Sequence, residues 1–144
     1  MQIRKDTPII VSACLAGMET NYLGEAWPHL KVINLVREGK AIPVCPEQLG
    51  GLTTPRTPAE RRGDGVVTKD GRDVTAQFRK GAEEVARLVE LTGAELVILK
   101  AKSPSCGVGC TYDGSFSDTL VDKDGVTAEV LRKMGVELLT EESL

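Results

Sequence analysis

The residues of this chain with the most chemistry to offer are its cysteines, Cys14, Cys45, Cys106 and Cys110. Cys14 lies in Ser12-Ala13-Cys14-Leu15-Ala16-Gly17, where the glycine allows a tight turn. Cys45 lies in Pro43-Val44-Cys45-Pro46-Glu47-Gln48, with prolines stiffening the backbone on both sides. Cys106 lies in Lys102-Ser103-Pro104-Ser105-Cys106-Gly107, a run of small residues and hydrogen-bond donors. Thiolate sulfur is a soft ligand that suits iron-sulfur clusters or zinc. Three thiolates on a four-iron cluster leave one iron open to a substrate atom, by the logic of the open position on a catalytic zinc. The three cysteines are far apart in sequence and follow no zinc-ribbon spacing, so only the fold can bring them together. The competing reading of each alone is a small buried hydrophobe. Cys110, four residues after Cys106, is read as a bystander rather than a fourth ligand or a resolving thiol.

The elements around the cysteines give this idea its geometry. Ile9, Ile10 and Val11 form a β-branched run that reads as a buried strand ending near Ala13. Leu30, Ile33 and Val36 recur at helical spacing within residues 28–38, and Gly39 is placed to stop that helix. Residues 41–44 read as a second strand. Residues 48–72, rich in Gly, Pro, Thr and Arg, read as a long loop with a hairpin around 66–68. Residues 73–92 form the strongest helical pattern, with Asp73 as N-cap and Val74, Phe78, Val85, Leu88 and Val89 on one face. Residues 96–99 are a third strand, 101–118 a loop, 126–134 a last helix and 136–139 a final strand.

Helix, glycine and short apolar strand thus recur after an opening strand. Such alternation predicts an α/β fold: a single-domain Rossmann-like three-layer sandwich over residues 1–144 with a mainly parallel sheet. Cys14 follows strand one, Cys45 follows strand two and Cys106 lies in the loop after strand three. Ligands of open α/β sheets bind outside the carboxyl ends of the strands. The topology therefore predicts that these thiols meet at one edge of the sheet, without choosing between iron-sulfur and zinc.

Composition narrows the partners. A net charge of −3 gives no general attraction to nucleic acid or anionic membrane. No apolar run reaches the roughly 20 residues that cross a bilayer. The expected location is cytoplasmic, where cysteines serve as metal ligands or redox groups more often than as disulfides. His29, the only histidine, is placed for a surface or helix-capping role.

The motifs Val11-Ser12-Ala13-Cys14-Leu15, Ile42-Pro43-Val44-Cys45-Pro46-Glu47-Gln48-Leu49-Gly50-Gly51-Leu52 and Leu99-Lys100-Ala101-Lys102-Ser103-Pro104-Ser105-Cys106-Gly107 resemble those of the domain-of-unknown-function family 523. Residues 53–60, 67–71 and 112–116 share the likeness, which spans nearly the whole chain. Family members with an assigned function are thiouracil desulfidases and related tRNA-thiouridine desulfurases. The resemblance implies a [4Fe-4S] cluster held by Cys14, Cys45 and Cys106, whose open iron takes the sulfur of a thiocarbonyl before water replaces it, releasing sulfide. Zinc is the alternative metal. The expected substrate is a small thiolated nucleobase or nucleoside such as thiouracil, rather than tRNA, because the extra domain of the tRNA-directed relatives is missing. A homodimer is an admissible assembly.

Such chemistry needs a carboxylate to activate water and move protons, and Glu47, two residues after a cysteine, is the candidate. Ser103 and Ser105 are candidates to orient substrate or to hydrogen-bond cluster sulfurs, with capping of the following turn or helix as their structural alternative. Arg56, Arg61, Arg62, Lys100 and Lys102 flank the site and would suit a substrate phosphate, unless they form a solvated face. Two other functions compete with desulfuration: a metal or iron-sulfur sensor without turnover, and a thiol-disulfide protein using Cys106 and Cys110.

Overall fold

A computed structural model describes residues 6–144. Four short strands, β1 (Ile9–Ser12), β2 (Ala41–Val44), β5 (Leu96–Leu99) and β8 (Glu137–Thr140), form a wholly parallel sheet in the order β2-β1-β5-β8. The register pairs Val11 with Pro43, Ile10 with Val97 and Leu99 with Thr140. Pro43 cannot donate to a ladder, and it is tolerated because β2 is an edge strand.

Period-two alternation divides the apolar side chains between two cores. Val11 and Ile98 point to one face and pack with Val32 of helix α1 (Leu30–Arg37). Ile10, Val97 and Leu99 point to the other. There they meet Val85 and Val89 of α3 (Thr75–Thr92) and Ala128 and Leu131 of α4 (Val126–Lys133). Helix layers on both faces of a parallel sheet are the expected three-layer α/β arrangement. His29 caps α1, its Nδ1 accepting from Lys31 N at 3.3 Å, whereas Val74 rather than the expected Asp73 is the N-cap of α3; Asp73 stands one residue earlier, and its Oδ1 still accepts from Thr75 N at 2.9 Å.

Three features depart from the sequence reading. A four-residue helix, α2 (Pro46–Leu49), follows Cys45 where only a loop was expected, being too short to show a period. The hairpin in the Gly/Pro-rich stretch pairs β3 (Ala59–Arg62) with β4 (Gly65–Thr68), and β3 carries charged residues instead of an apolar run. A small antiparallel pair, β6 (Thr111–Tyr112) with β7 (Leu120–Val121), interrupts the second predicted loop.

Helices α2 and α3 meet at bare backbone. A Cβ on Gly81 would lie 1.9 Å from Pro46 O, and one on Gly50 would lie 1.9 Å from Gln77 O. Gly81→Ala is therefore expected to destabilise the protein by about 3 kcal/mol, read as a lower denaturation midpoint.

Candidate active site

The strand order places a switch point at the heart of the sheet. After β1 the chain crosses to β2 on one side, then returns to β5 on the other. The carboxyl ends of β1 and β5 therefore diverge into loops that leave a crevice between them. Cys14 stands in the 3-10 turn Ala13–Ala16 directly after β1. That turn closes on Gly17, whose φ of 95° a side chain would strain. Cys45 occupies the N-cap position of α2, in extended conformation, with Pro46 opening the helix. Cys106 follows a turn in which Ser103 Oγ accepts from the N–H groups of Ser105 (3.2 Å) and Cys106 (3.0 Å).

All three cysteines line one cavity of about 610 Å³, together with Glu47 and Ser103. Convergence of the thiols, which local spacing could not supply, is thus achieved by the sheet. Among the described residues no group of three or more His, Cys, Asp or Glu side chains is set to hold a single metal ion.

Burial governs the electrostatics. It pushes the Cys14 thiol up to about 11, with the nearby Cys45 adding to the rise and Lys100 opposing it. Burial also raises Cys45, against the Gln48 backbone N–H and the Arg56 charge. Cys106 is driven upward by the same loss of water, although a hydrogen bond from Ser12 opposes it. Three bare thiolates are therefore unfavourable here unless a cation compensates them.

Glu47 is held by Arg56, whose Nε donates to Oε1 at 3.1 Å, with both side chains largely buried. Arg56 also donates to Thr20 O (3.0 Å) and Thr54 Oγ1 (2.9 Å), and its Nη2 lies 3.8 Å from Cys45 Sγ. Burial raises the carboxyl pKa of Glu47, while Arg56 works against the rise. The carboxylate also borders a second cavity of about 200 Å³.

Ser105 is not brought to this cavity. It is 1% exposed, its Oγ shares a 2.8 Å hydrogen bond with Thr127, and its carbonyl accepts from Thr127 N and Ala128 N at the start of α4. Its geometry is that of the helix-capping alternative. Cys110, half-buried, does not line the cavity either.

The five flanking cations divide. Arg61 is buried and spent on Glu129 (2.9 Å) and Asp124 O (2.7 Å), while Arg62 donates to Gly114 O (2.7 Å). Neither lines the cavity, so the expectation that they serve a substrate phosphate is corrected: they pin loops instead. Lys100 and Lys102 do line it, each with a glutamate partner, Glu141 at 2.8 Å and Glu142 at 3.6 Å.

Sequence reasoning missed Ser12, Asn21 and Trp27. Ser12 Oγ donates to Cys106 Sγ at 3.3 Å and accepts from Lys100 N at 2.9 Å, clasping the ends of β1 and β5 together. Its place two residues before Cys14, at a strand end, was the available signal. Trp27 borders the cavity beside Tyr22, ring centroids 6.2 Å apart, with Lys100 Nζ 5.1 Å above the indole. It lies in a loop without periodicity, and nothing in the sequence marked it.

Comparison with known proteins converges on one family. A family model described as 2-thiouracil desulfurase matches residues 9–143. The "Uncharacterized protein YbbK" of Bacillus subtilis (strain 168) is 40% identical over 146 aligned residues, covering 94% of this chain and 97% of that protein. The solved structure of the "[4Fe-4S]-dependent thiouracil desulfidase TudS" superposes with a TM-score of 0.91 at 42% identity, covering 96% of this chain and 93% of that one.

Proposed function

The chain belongs to the 2-thiouracil desulfurase family, and from that premise we propose that it is a [4Fe-4S]-dependent desulfidase that replaces the sulfur of a thiolated nucleobase such as thiouracil by oxygen. The observation that carries this reading is that Cys14, Cys45, Cys106 and Glu47 face one cavity. Similarity to a [4Fe-4S]-dependent thiouracil desulfidase supports it.

The donor set fits the cluster. Cys14, Cys45 and Cys106 are soft donors whose buried thiolates need a cationic partner, and the cavity of about 610 Å³ has room for a polynuclear centre. A lone zinc at about 2.3 Å from each sulfur would draw all three to within about 4 Å of one another. Similarity to a [4Fe-4S]-dependent desulfidase is what favours the cluster over zinc. When bound on three cysteines, it supplies an iron without a protein ligand, a Lewis acid for the thiocarbonyl sulfur.

The rest of the reaction is hydrolysis: C=S and water become C=O and hydrogen sulfide, with no net oxidation or reduction. Glu47 is the proton carrier. Arg56 fixes Oε1, so Oε2 can take a proton from the attacking water and return it to the ring nitrogen or the departing sulfur. Ser103, whose Oγ already accepts two backbone N–H groups, has its hydroxyl hydrogen to donate to the substrate. Ser103→Ala should lower kcat by about 10²-fold at unchanged iron content. The substrate is a free base or nucleoside rather than tRNA, and the working location is the cytoplasm. No helix of the described residues is long and apolar enough to cross a membrane.

Anaerobic reconstitution tests the proposal. The protein should bind about four iron and four sulfide per chain and release sulfide as thiouracil becomes uracil. Iron uptake without sulfide release from thiouracil would overturn the catalytic reading, and failure to bind iron at all would overturn the cluster.

A further inference from the structure

One wall of the main cavity carries a buried donor with nothing to bond. Asn21 lines the cavity and is 5% exposed. Its Oδ1 accepts the backbone N–H groups of Leu23 at 3.0 Å and Glu25 at 2.8 Å, which fixes the orientation of the amide. The backbone is locked too, because Asn21 N donates to Glu25 O and Gly24 N donates to Asn21 O. Nδ2 is left buried without a hydrogen-bond partner among the described residues. The neighbouring Thr20 carbonyl is already engaged by Arg56 and Cys45. The other buried polar atoms in this condition, Arg61 Nε and Thr111 Oγ1, belong to residues that do not line the cavity. A rigid amide donor that has lost its water on folding is stabilised only when something in the cavity accepts from it.

We infer that Asn21 Nδ2 donates a hydrogen bond to the carbonyl oxygen that the substrate keeps, making Asn21 a specificity-determining residue of the desulfidase proposed above. A neutral amide N–H₂ group complements a neutral carbonyl oxygen, and a thiouracil ring carries one besides its thiocarbonyl. Tyr22, next in sequence, and Trp27 add aromatic surface on the same cavity, suited to a flat heterocycle. The arrangement orients the base, its oxygen at Asn21 and its sulfur toward the cysteines. It also rejects rings that lack the second oxygen, because they would leave the donor unpaired.

Asn21→Asp separates the two ends of the amide. Aspartate keeps the acceptor that ties Leu23 and Glu25 and loses the donor; chemical denaturation and iron content of N21D check that the turn and the site tolerate the second buried oxygen. The substrates are 4-thiouracil and pyrimidine-4-thione, which lacks the oxygen at the 2-position. The parent should prefer 4-thiouracil in kcat/KM by about 10²-fold, and N21D should lose about tenfold or more of that preference. An unchanged ratio in N21D, even with uniformly lower rates, would overturn the role of Asn21. Calorimetric titration with uracil judges it apart from turnover: binding about tenfold weaker in N21D supports the inference, and equal binding overturns it. Absence of sulfide release from either substrate by the cluster-loaded parent would instead overturn the desulfidase reading.

Discussion

Glu47→Gln is expected to lower kcat by about 10²–10⁴-fold while iron and sulfide content stay at the parent level. The separation follows from where the side chain sits. Glu47 is on α2, after the cysteine it follows, and its Oε1 is bound to Arg56 and not to a sulfur. Glutamine keeps an oxygen to accept from Arg56 Nε but cannot take a proton from water. Arg56 retains Thr20 O and Thr54 Oγ1 as partners, so its charge is not abandoned in the interior. The cost to stability should therefore stay within about 1–3 kcal/mol, checked by chemical denaturation of the reconstituted protein. A variant that turns over thiouracil at the parent rate would remove Glu47 from the chemistry. The same measurement separates an enzyme from a sensor, since a metal-binding sensor has no rate to lose.

Cys106→Ala is expected to abolish cluster retention, a loss larger than the about 10–100-fold that removing an outer hydrogen-bond partner costs a metal site. Cys110→Ala should leave iron content and turnover unchanged. The two cysteines are near in sequence but differ in placement: Cys106 lines the cavity and receives Ser12 Oγ at 3.3 Å, whereas Cys110 does not line it. The fold itself should survive the Cys106 change. The thiol is 5% exposed, its raised pKa keeps it neutral without metal, and it packs in the core with Val97 and Leu99. Alanine there removes one sulfur atom's volume, at about 1 kcal/mol. Iron analysis of the two variants side by side is the check, and equal iron loss in both would mean that the loop, not the ligand, had been damaged. Zinc binding by Cys106→Ala at parent affinity would likewise contradict the assigned ligand set.

Much of the scaffold was legible before any coordinates because it is written in local periodicity. Ile9 to Val11 and the residues of β5 are short β-branched or apolar runs, and α3 shows its buried stripe of Phe78, Val85 and Val89. Each strand end of the parallel sheet could thus be placed to within a residue or so, and with it the place of each candidate cysteine after its strand. Glu47 could be nominated as the candidate carboxylate from its place beside Cys45, although its ion pair with Arg56 could not. Elements without a period escaped: α2 is a single turn, and β3 is a charged strand whose Arg61 is buried because it reaches Glu129 on α4.

What the amino-acid order determined by itself was therefore the parallel α/β frame and the position of Cys14, Cys45 and Cys106 after successive strands. Hydrophobic spacing and turn residues act over a few neighbours, and those quantities need nothing more. Only the tertiary structure decided which polar residues meet the cavity. It turned Ser103 inward and Ser105 toward Thr127, spent Arg61 and Arg62 on loop carbonyls, aimed Ser12 at Cys106, and brought Asn21 and Trp27 to the site from segments with no motif. Those choices depend on contacts between residues far apart in the chain, each set by the direction of one side chain on a packed backbone.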